Sequence, residues 1–168
     1  AVLLPDDVIK GQKGALAQMV QAHKNVGGHM VATMDVPLAE TSKYGVLDVA
    51  QENGRLAHAR GVGEKPNPNV APSTKAVVGR YILDSQIFDR LDNLGPGAGG
   101  ELQLTDAINA DVDRVGVTGF LFEGERFDCG SVQGFVQATT AFALDRADLR
   151  DEFASFLDDR APRLPLVA

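Results

Sequence analysis

Two carboxylates, Asp6 and Asp7, follow directly on the apolar run Ala1-Val2-Leu3-Leu4-Pro5. In open α/β sheets ligands bind beyond the carboxyl ends of the strands, and a carboxylate there is a hard oxygen donor suited to a cation such as Mg²⁺. The same Pro-Asp-Asp is also an ordinary turn or cap sequence. Glu64-Lys65-Pro66 lies in the stretch richest in proline and glycine, Gly61 to Ser73. Lys65 offers a compact point charge to a phosphate. Glu64 can accept hydrogen bonds from sugar hydroxyls, and Pro66 reduces the ordering cost of binding. A solvated Glu-Lys pair on a loop is the plain alternative. The loop from Gly95 to Gly100 holds four glycines in six residues, which suits unusual backbone angles or close approach to a ligand. Glu101 then falls at an expected helix N-terminus, where the dipole favours a carboxylate. No Gly-Lys-Ser/Thr closes this loop, so it is not a P-loop, and a long turn with a capping glutamate explains it equally well. Asp128, in Phe127-Asp128-Cys129-Gly130, is a candidate second metal carboxylate. Cys129 has no histidine near it in sequence and nothing evident to lower its pKa, so it reads as a small shielded side chain. His23, His29 and His58 sit in no motif and read as structural or solvated.

The elements that must carry these groups follow from periodicity. Ala1 to Leu4 reads as a fully buried strand closed by Pro5. A helix is expected from about Gln12 to Asn25, stopped by Gly27-Gly28. Strands follow at His29 to Val36, Tyr44 to Val49 and, across the Asn53-Gly54 turn signal, Arg55 to Ala59. Gly61 to Ser73 is too irregular for a central strand. Ala76 to Leu83 resumes as a strand, and Asp84 stands as an N-cap before Ile87, Leu91 and Leu94. Later elements are a helix from about Glu101 to Val112, a strand from Val115 to Phe122 and a short one at Phe127. An apolar helix face is formed by Val132, Phe135, Val136, Thr139, Phe142 and Ala143, and a charged helix covers about Asp148 to Asp159. Interleaved strands and helices make the class α/β, with a mixed sheet and no clear domain boundary.

Composition limits the function. The chain has 168 residues, 44% hydrophobic and 23% charged, as in globular proteins. Its net charge of −7 argues against nucleic acid as the main partner but leaves room for a small phosphorylated ligand. No apolar run reaches the ~20 residues of a membrane span, and the first residues do not read as a signal peptide. One cysteine and three scattered histidines make neither a disulfide framework nor a zinc site.

The order of the motifs is more specific than any one of them. Glu64-Lys65-Pro66 with Ala71-Pro72-Ser73 comes first, then Val78-Gly79-Arg80-Tyr81-Ile82-Leu83. Gly99-Gly100-Glu101-Leu102-Gln103-Leu104-Thr105-Asp106 and Arg126-Phe127-Asp128-Cys129-Gly130 follow. Together with Leu3-Leu4-Pro5-Asp6-Asp7 and Lys43-Tyr44-Gly45-Val46, this series resembles the bacterial UTP–glucose-1-phosphate uridylyltransferases, or UDP-glucose pyrophosphorylases, from Val2 to about Phe153.

The resemblance implies a Rossmann-like nucleotidyltransferase fold with a mixed, mostly parallel sheet. Residues 1–168 would be the C-terminal, sugar-phosphate-binding part of a single domain, with C-terminal helices from about 131. It implies in-line attack of glucose 1-phosphate on UTP, giving UDP-glucose and pyrophosphate. Positioning and charge neutralisation would supply the catalysis, with no protein nucleophile. By the same likeness, Asp6 and Asp128 would hold Mg²⁺ and count with Lys65 as catalytic. Lys65 would contact the sugar phosphate and Glu64 the glucose hydroxyls. Gly45 and Gly79 would let the backbone approach the sugar, and Glu101 would belong to the sugar pocket. A cytoplasmic homo-oligomer, dimer or tetramer, is expected. Gly63 departs from the bulky residue usual before Glu-Lys-Pro, and Thr74-Lys75 replaces Asn-Leu after Ala-Pro-Ser, which leaves the loop shape open. The family's Gly-x-Gly-Thr-Arg nucleotide loop and its uracil-binding residues have no counterpart here. The chain is therefore expected to be inactive alone, the activity belonging to a longer parent. A non-catalytic sugar-phosphate-binding or assembly module is the alternative, and a purely structural piece a third reading.

Overall fold

A computed structural model describes residues 1–97 and 100–160. Ala98 and Gly99 of the glycine loop, and the tail after residue 160, lie outside the described residues. The chain divides into two compact units, Ala1–Arg126 and a second from Phe127 onward. In the first unit the elements run β1 (Val2–Leu3), β2 (Asp7–Lys10), α1 (Ala15–Val26), β3 (His29–Asp35), a 3-10 helix (Leu38–Lys43), β4 (Gly45–Asn53) and β5 (Leu56–Glu64). Then come β6 (Lys75–Ile82), α2 (Ile87–Asp92), α3 (Leu104–Val115) and β7 (Val117–Leu121). β8 (Glu125–Asp128) carries the chain into the second unit, whose helices are α4 (Val132–Asp145) and α5 (Arg150–Asp158).

The main sheet has the order β1-β6-β3-β7-β5-β4, and β4 also touches β6 where Val46 faces Ala76. It is mixed, as expected, but not mostly parallel: among the described strands only β3 and β7 run parallel. The cause is local. A tight turn at Gly54, with φ of 58°, joins β4 to β5, and strands joined so closely must be antiparallel. β5 then lies antiparallel on β7, and β6 antiparallel on β3.

Alternation along the strands sends side chains to two apolar layers. Val31, Leu47, Ala57, Val62 and Val117 pack with Ile87 of α2 and Ala107 and Ile108 of α3. On the opposite face Met30, Ala32, Val78 and Phe120 pack with Met19 of α1. Complete burial of such side chains contributes about 1.5–3 kcal/mol each. Between β3 and α3 lies a polar group that the sequence reading missed. His29 and Asp111 are both fully buried, with His29 Nε2 3.3 Å from Asp111 Oδ2. Asp111 accepts hydrogen bonds from Arg90 at 3.1 Å and Arg114 at 2.7 Å.

Several expected elements differ. Ala1 to Leu4 is not a buried strand. β1 is two residues long, pairs only with β6, and leaves Val2, Leu3 and Leu4 about half exposed because nothing described covers this edge. Gly61 to Glu64, expected to be irregular, continues β5 opposite β4. Its other edge has no strand neighbour at Val62, and the Asn109 side chain takes that place, accepting from the Val62 amide and donating to its carbonyl, each at 2.7 Å. Asp84 is not an N-cap: α2 begins at Ile87, and the Asp84 carboxylate accepts instead from the Gln86 amide and from Arg114. α3 begins at Leu104, so Glu101 is not at its N-terminus. Ser131 caps α4, its hydroxyl accepting from the Gly134 amide, but Val132, Phe135, Val136 and Phe142 remain exposed.

Candidate active site

A cleft of about 160 Å³ opens in the first unit between the start of β4, the end of β5, the middle of β6 and the start of α3. Its walls bring together residues far apart in sequence: Asp7, Tyr44, Gly45, Glu64, Lys65, Gly79, Tyr81 and Arg126. Four sequence-chosen positions, Gly45, Glu64, Lys65 and Gly79, therefore meet in one place. Asp6 is exposed and lies outside this wall. Glu101 is exposed too, and its carbonyl accepts from the Gly97 amide at 2.9 Å. Asp128 belongs to the second unit, where its carboxylate accepts from the Gly130 amide and its carbonyl from Ser131. Cys129 is partly buried.

The sheet explains how the cleft forms. Gly45 and Glu64 are register partners at the open end of the hairpin, where β4 begins and β5 ends, and both line the cleft. Lys65 follows at once with φ of 43°, the one non-glycine residue at positive φ among those described. Such a conformation costs about 1–3 kcal/mol and persists only where neighbours hold it. Here the Lys65 amide donates to the Tyr44 carbonyl at 3.0 Å. Its ammonium is mostly exposed and forms an ion pair with Glu64 at 3.8 Å, a distance too long for a hydrogen bond.

The two glycines play different parts. At Gly79 a Cβ would stand 2.6 Å from the Leu4 side chain and 2.7 Å from Asp7 Oδ2, so the chain's own atoms require glycine. At Gly45 the nearest atoms, from Thr105, Val62 and Glu64, lie 3.5–3.6 Å from that point, and a methyl group would fit. Of the two, only Gly45 has room for a methyl group.

The cleft wall also holds a group to which the motifs assign no role. Asp7, 6% exposed, accepts from the Gly79 amide at 2.7 Å and pairs with Arg126 Nε. The Arg126 guanidinium lies 5.5 Å from the Tyr44 ring centre and 3.5 Å from its hydroxyl. Burial pushes the Tyr81 hydroxyl up to about 12, and the charges of Asp7, Glu64 and Asp6 push it the same way, so it stays a neutral donor. The doublet Asp6-Asp7 and the residue before Phe127 did signal this group, but sequence alone does not say which aspartate turns inward.

The donor set can be judged against a hard cation. Asp6 and Asp128 are oxygen donors, as Mg²⁺ requires, and among the described residues no three His, Cys, Asp or Glu gather into a metal cage.

The nucleotidyl transferase family model matches residues 1–144. A UTP–glucose-1-phosphate uridylyltransferase of Komagataeibacter xylinus is 44% identical over 131 residues, 78% of this chain and 46% of the relative. A second, from Staphylococcus saprophyticus, is 40% identical over 157 residues, 94% of this chain and 54% of the relative. A solved UDP-glucose pyrophosphorylase complexed with UDP-glucose superposes with a TM-score of 0.80 at 36% identity, covering 86% of this chain and 55% of that one. The chain thus spans about half the length of the relatives it matches.

Proposed function

The chain belongs to the nucleotidyl transferase family, and from that premise we propose that it forms the sugar-phosphate-binding part of a UTP–glucose-1-phosphate uridylyltransferase. Residues 1–168 are then one portion of a single nucleotidyltransferase domain with its C-terminal helices from about 131. The observation that carries this reading is the convergence of Gly45, Glu64, Lys65 and Gly79 on one cleft. Identity of 36–44% to relatives and a solved structure with that activity or name supports it.

The chemistry follows from the groups present. A phosphate oxygen of glucose 1-phosphate attacks the α-phosphorus of UTP. The bond from that phosphorus to the oxygen bridging to the β-phosphate breaks, and pyrophosphate leaves with the electron pair. Lys65 meets the sugar phosphate as a point charge, and Glu64 accepts from glucose hydroxyls. Gly45 leaves room for the sugar. Asp6 and Asp128 are the residues to hold Mg²⁺, which supplies charge neutralisation on the phosphates when bound. Glu101 is assigned to the sugar pocket. A homo-oligomer in the cytoplasm completes this reading. No helix among the described residues is long and apolar enough to cross a membrane.

Pyrophosphate release by the full-length parent enzyme tests the assignment. Lys65→Ala should reduce uridylyl transfer by about a hundredfold or more, as loss of one positioned charge-stabilising donor does. Near-normal turnover would remove Lys65 from the chemistry. Calorimetry separates the non-catalytic module, which would bind glucose 1-phosphate but not UTP even in the parent.

A further inference from the structure

The strain at Lys65 needs a support, and the structure offers one that runs through three other residues. Asp7 is buried and fixed at one oxygen by the Gly79 amide of β6, the strand next to β1. Its other oxygen takes the Nε–H of Arg126. That bond holds a guanidinium only 15% exposed, whose carbon lies 5.5 Å from the Tyr44 ring centre and whose terminal N–H reaches the Tyr44 hydroxyl at 3.5 Å. Tyr44 precedes the start of β4, and its carbonyl holds the Lys65 amide. We propose that Arg126, anchored by Asp7, is a positioning residue: it clamps Tyr44 and through it keeps Lys65 in the left-handed conformation that aims its ammonium at a sugar phosphate.

This rests on the functional reading above for the ligand, but the clamp itself is a claim about the chain alone. Lysine cannot replace the arginine, because a single ammonium can pair with Asp7 but cannot at the same time extend to the Tyr44 ring and hydroxyl, as the fork of the guanidinium does. A cation held near a partly desolvated ring contributes enough to change local opening by about tenfold. Without it the Lys65 amide should open more often while the core of the unit stays closed, since stability is local.

The chain also supplies its own binding probe. It has no tryptophan and two tyrosines, Tyr44 and Tyr81, and both line the cleft. Two measurements on the 168-residue chain separate the clamp from the ligand. Amide exchange by NMR should show the Lys65 amide exchanging about tenfold faster in Arg126→Ala and in Arg126→Lys, with β3 amides unchanged. Tyr44→Leu, which removes the ring by another route, should do the same and serves if the arginine variants do not fold. Tyrosine fluorescence titrated with glucose 1-phosphate should show weaker binding in Arg126→Lys. Unchanged Lys65 exchange in a folded Arg126 variant overturns the clamp. If the wild-type chain does not answer to glucose 1-phosphate, the ligand assignment fails, and the exchange result still decides the clamp.

Discussion

At the scale of single residues, the two glycines of the cleft separate what the fold needs from what the ligand needs. Gly79→Ala drives a methyl group against Leu4 and the fixed Asp7 carboxylate, so it should lower stability by about 1–3 kcal/mol, read as a fall in the urea midpoint. Gly45→Ala meets only ordinary contacts, so the midpoint should hold while affinity for glucose 1-phosphate falls. Equal stability losses in both would mean that Gly45 is also required by packing. The sequence reading had treated the two alike, because glycine looks the same whether a neighbour of the chain or a ligand occupies its missing side chain. It also passed over Asp7 in favour of Asp6. Adjacent residues at the end of a strand point to opposite sides, and only the placement of Gly79 and Arg126 decides which one is buried.

At the scale of elements, the helices and strands were mostly legible, and their ends were not. α1 stops at Gly27 as its sequence predicts, and the Asn53-Gly54 signal makes the hairpin. β5 runs past its expected end because Asn109 of α3 supplies the hydrogen bonds that a missing strand would make at Val62. No local propensity announces such a substitute. Asn109→Ala leaves a partly buried amide and carbonyl unpaired and should cost about 1–3 kcal/mol. Amide exchange should quicken at Val62, whereas full protection there would show that β4 alone holds the strand. α4 illustrates the reverse case. Its apolar periodicity is real, yet Val132 and Phe135 are exposed, because periodicity names a face and not what covers it.

At the scale of the molecule, global stability should carry the signature of His29. Burial pushes its imidazole below the usual range, outweighing the pull of Asp111 and Asp84 toward the charged form, while Arg114 pushes it lower. The folded state therefore refuses a proton that the unfolded chain accepts. The stabilisation is full above about pH 6.5 and is lost as pH falls from there toward the folded value, with a slope of at most about 1.4 kcal/mol per pH unit for one proton. Arg114 and Arg90 hold the Asp111 carboxyl below its ordinary range, so its own loss comes only in stronger acid. Urea midpoints at pH 7.5 and 5.0 should differ for the wild type and differ less for His29→Asn. An equal drop in the variant would place the acid sensitivity elsewhere.

By itself the sequence determined the α/β class, the family, and four of the residues that line the cleft, Gly45, Glu64, Lys65 and Gly79, because motif order and periodicity are carried by neighbours along the chain. Tertiary structure alone decided that the sheet is largely antiparallel, that Asp7 is buried in the cleft wall, and that Lys65 is held in a strained turn. It also decided that His29 is locked against Asp111. Each of these depends on contacts between residues far apart in sequence, as Asp7 and Arg126 are, 119 positions apart. Burial and pairing at such distances follow from where the strands place the side chains, and residue type alone does not carry that information.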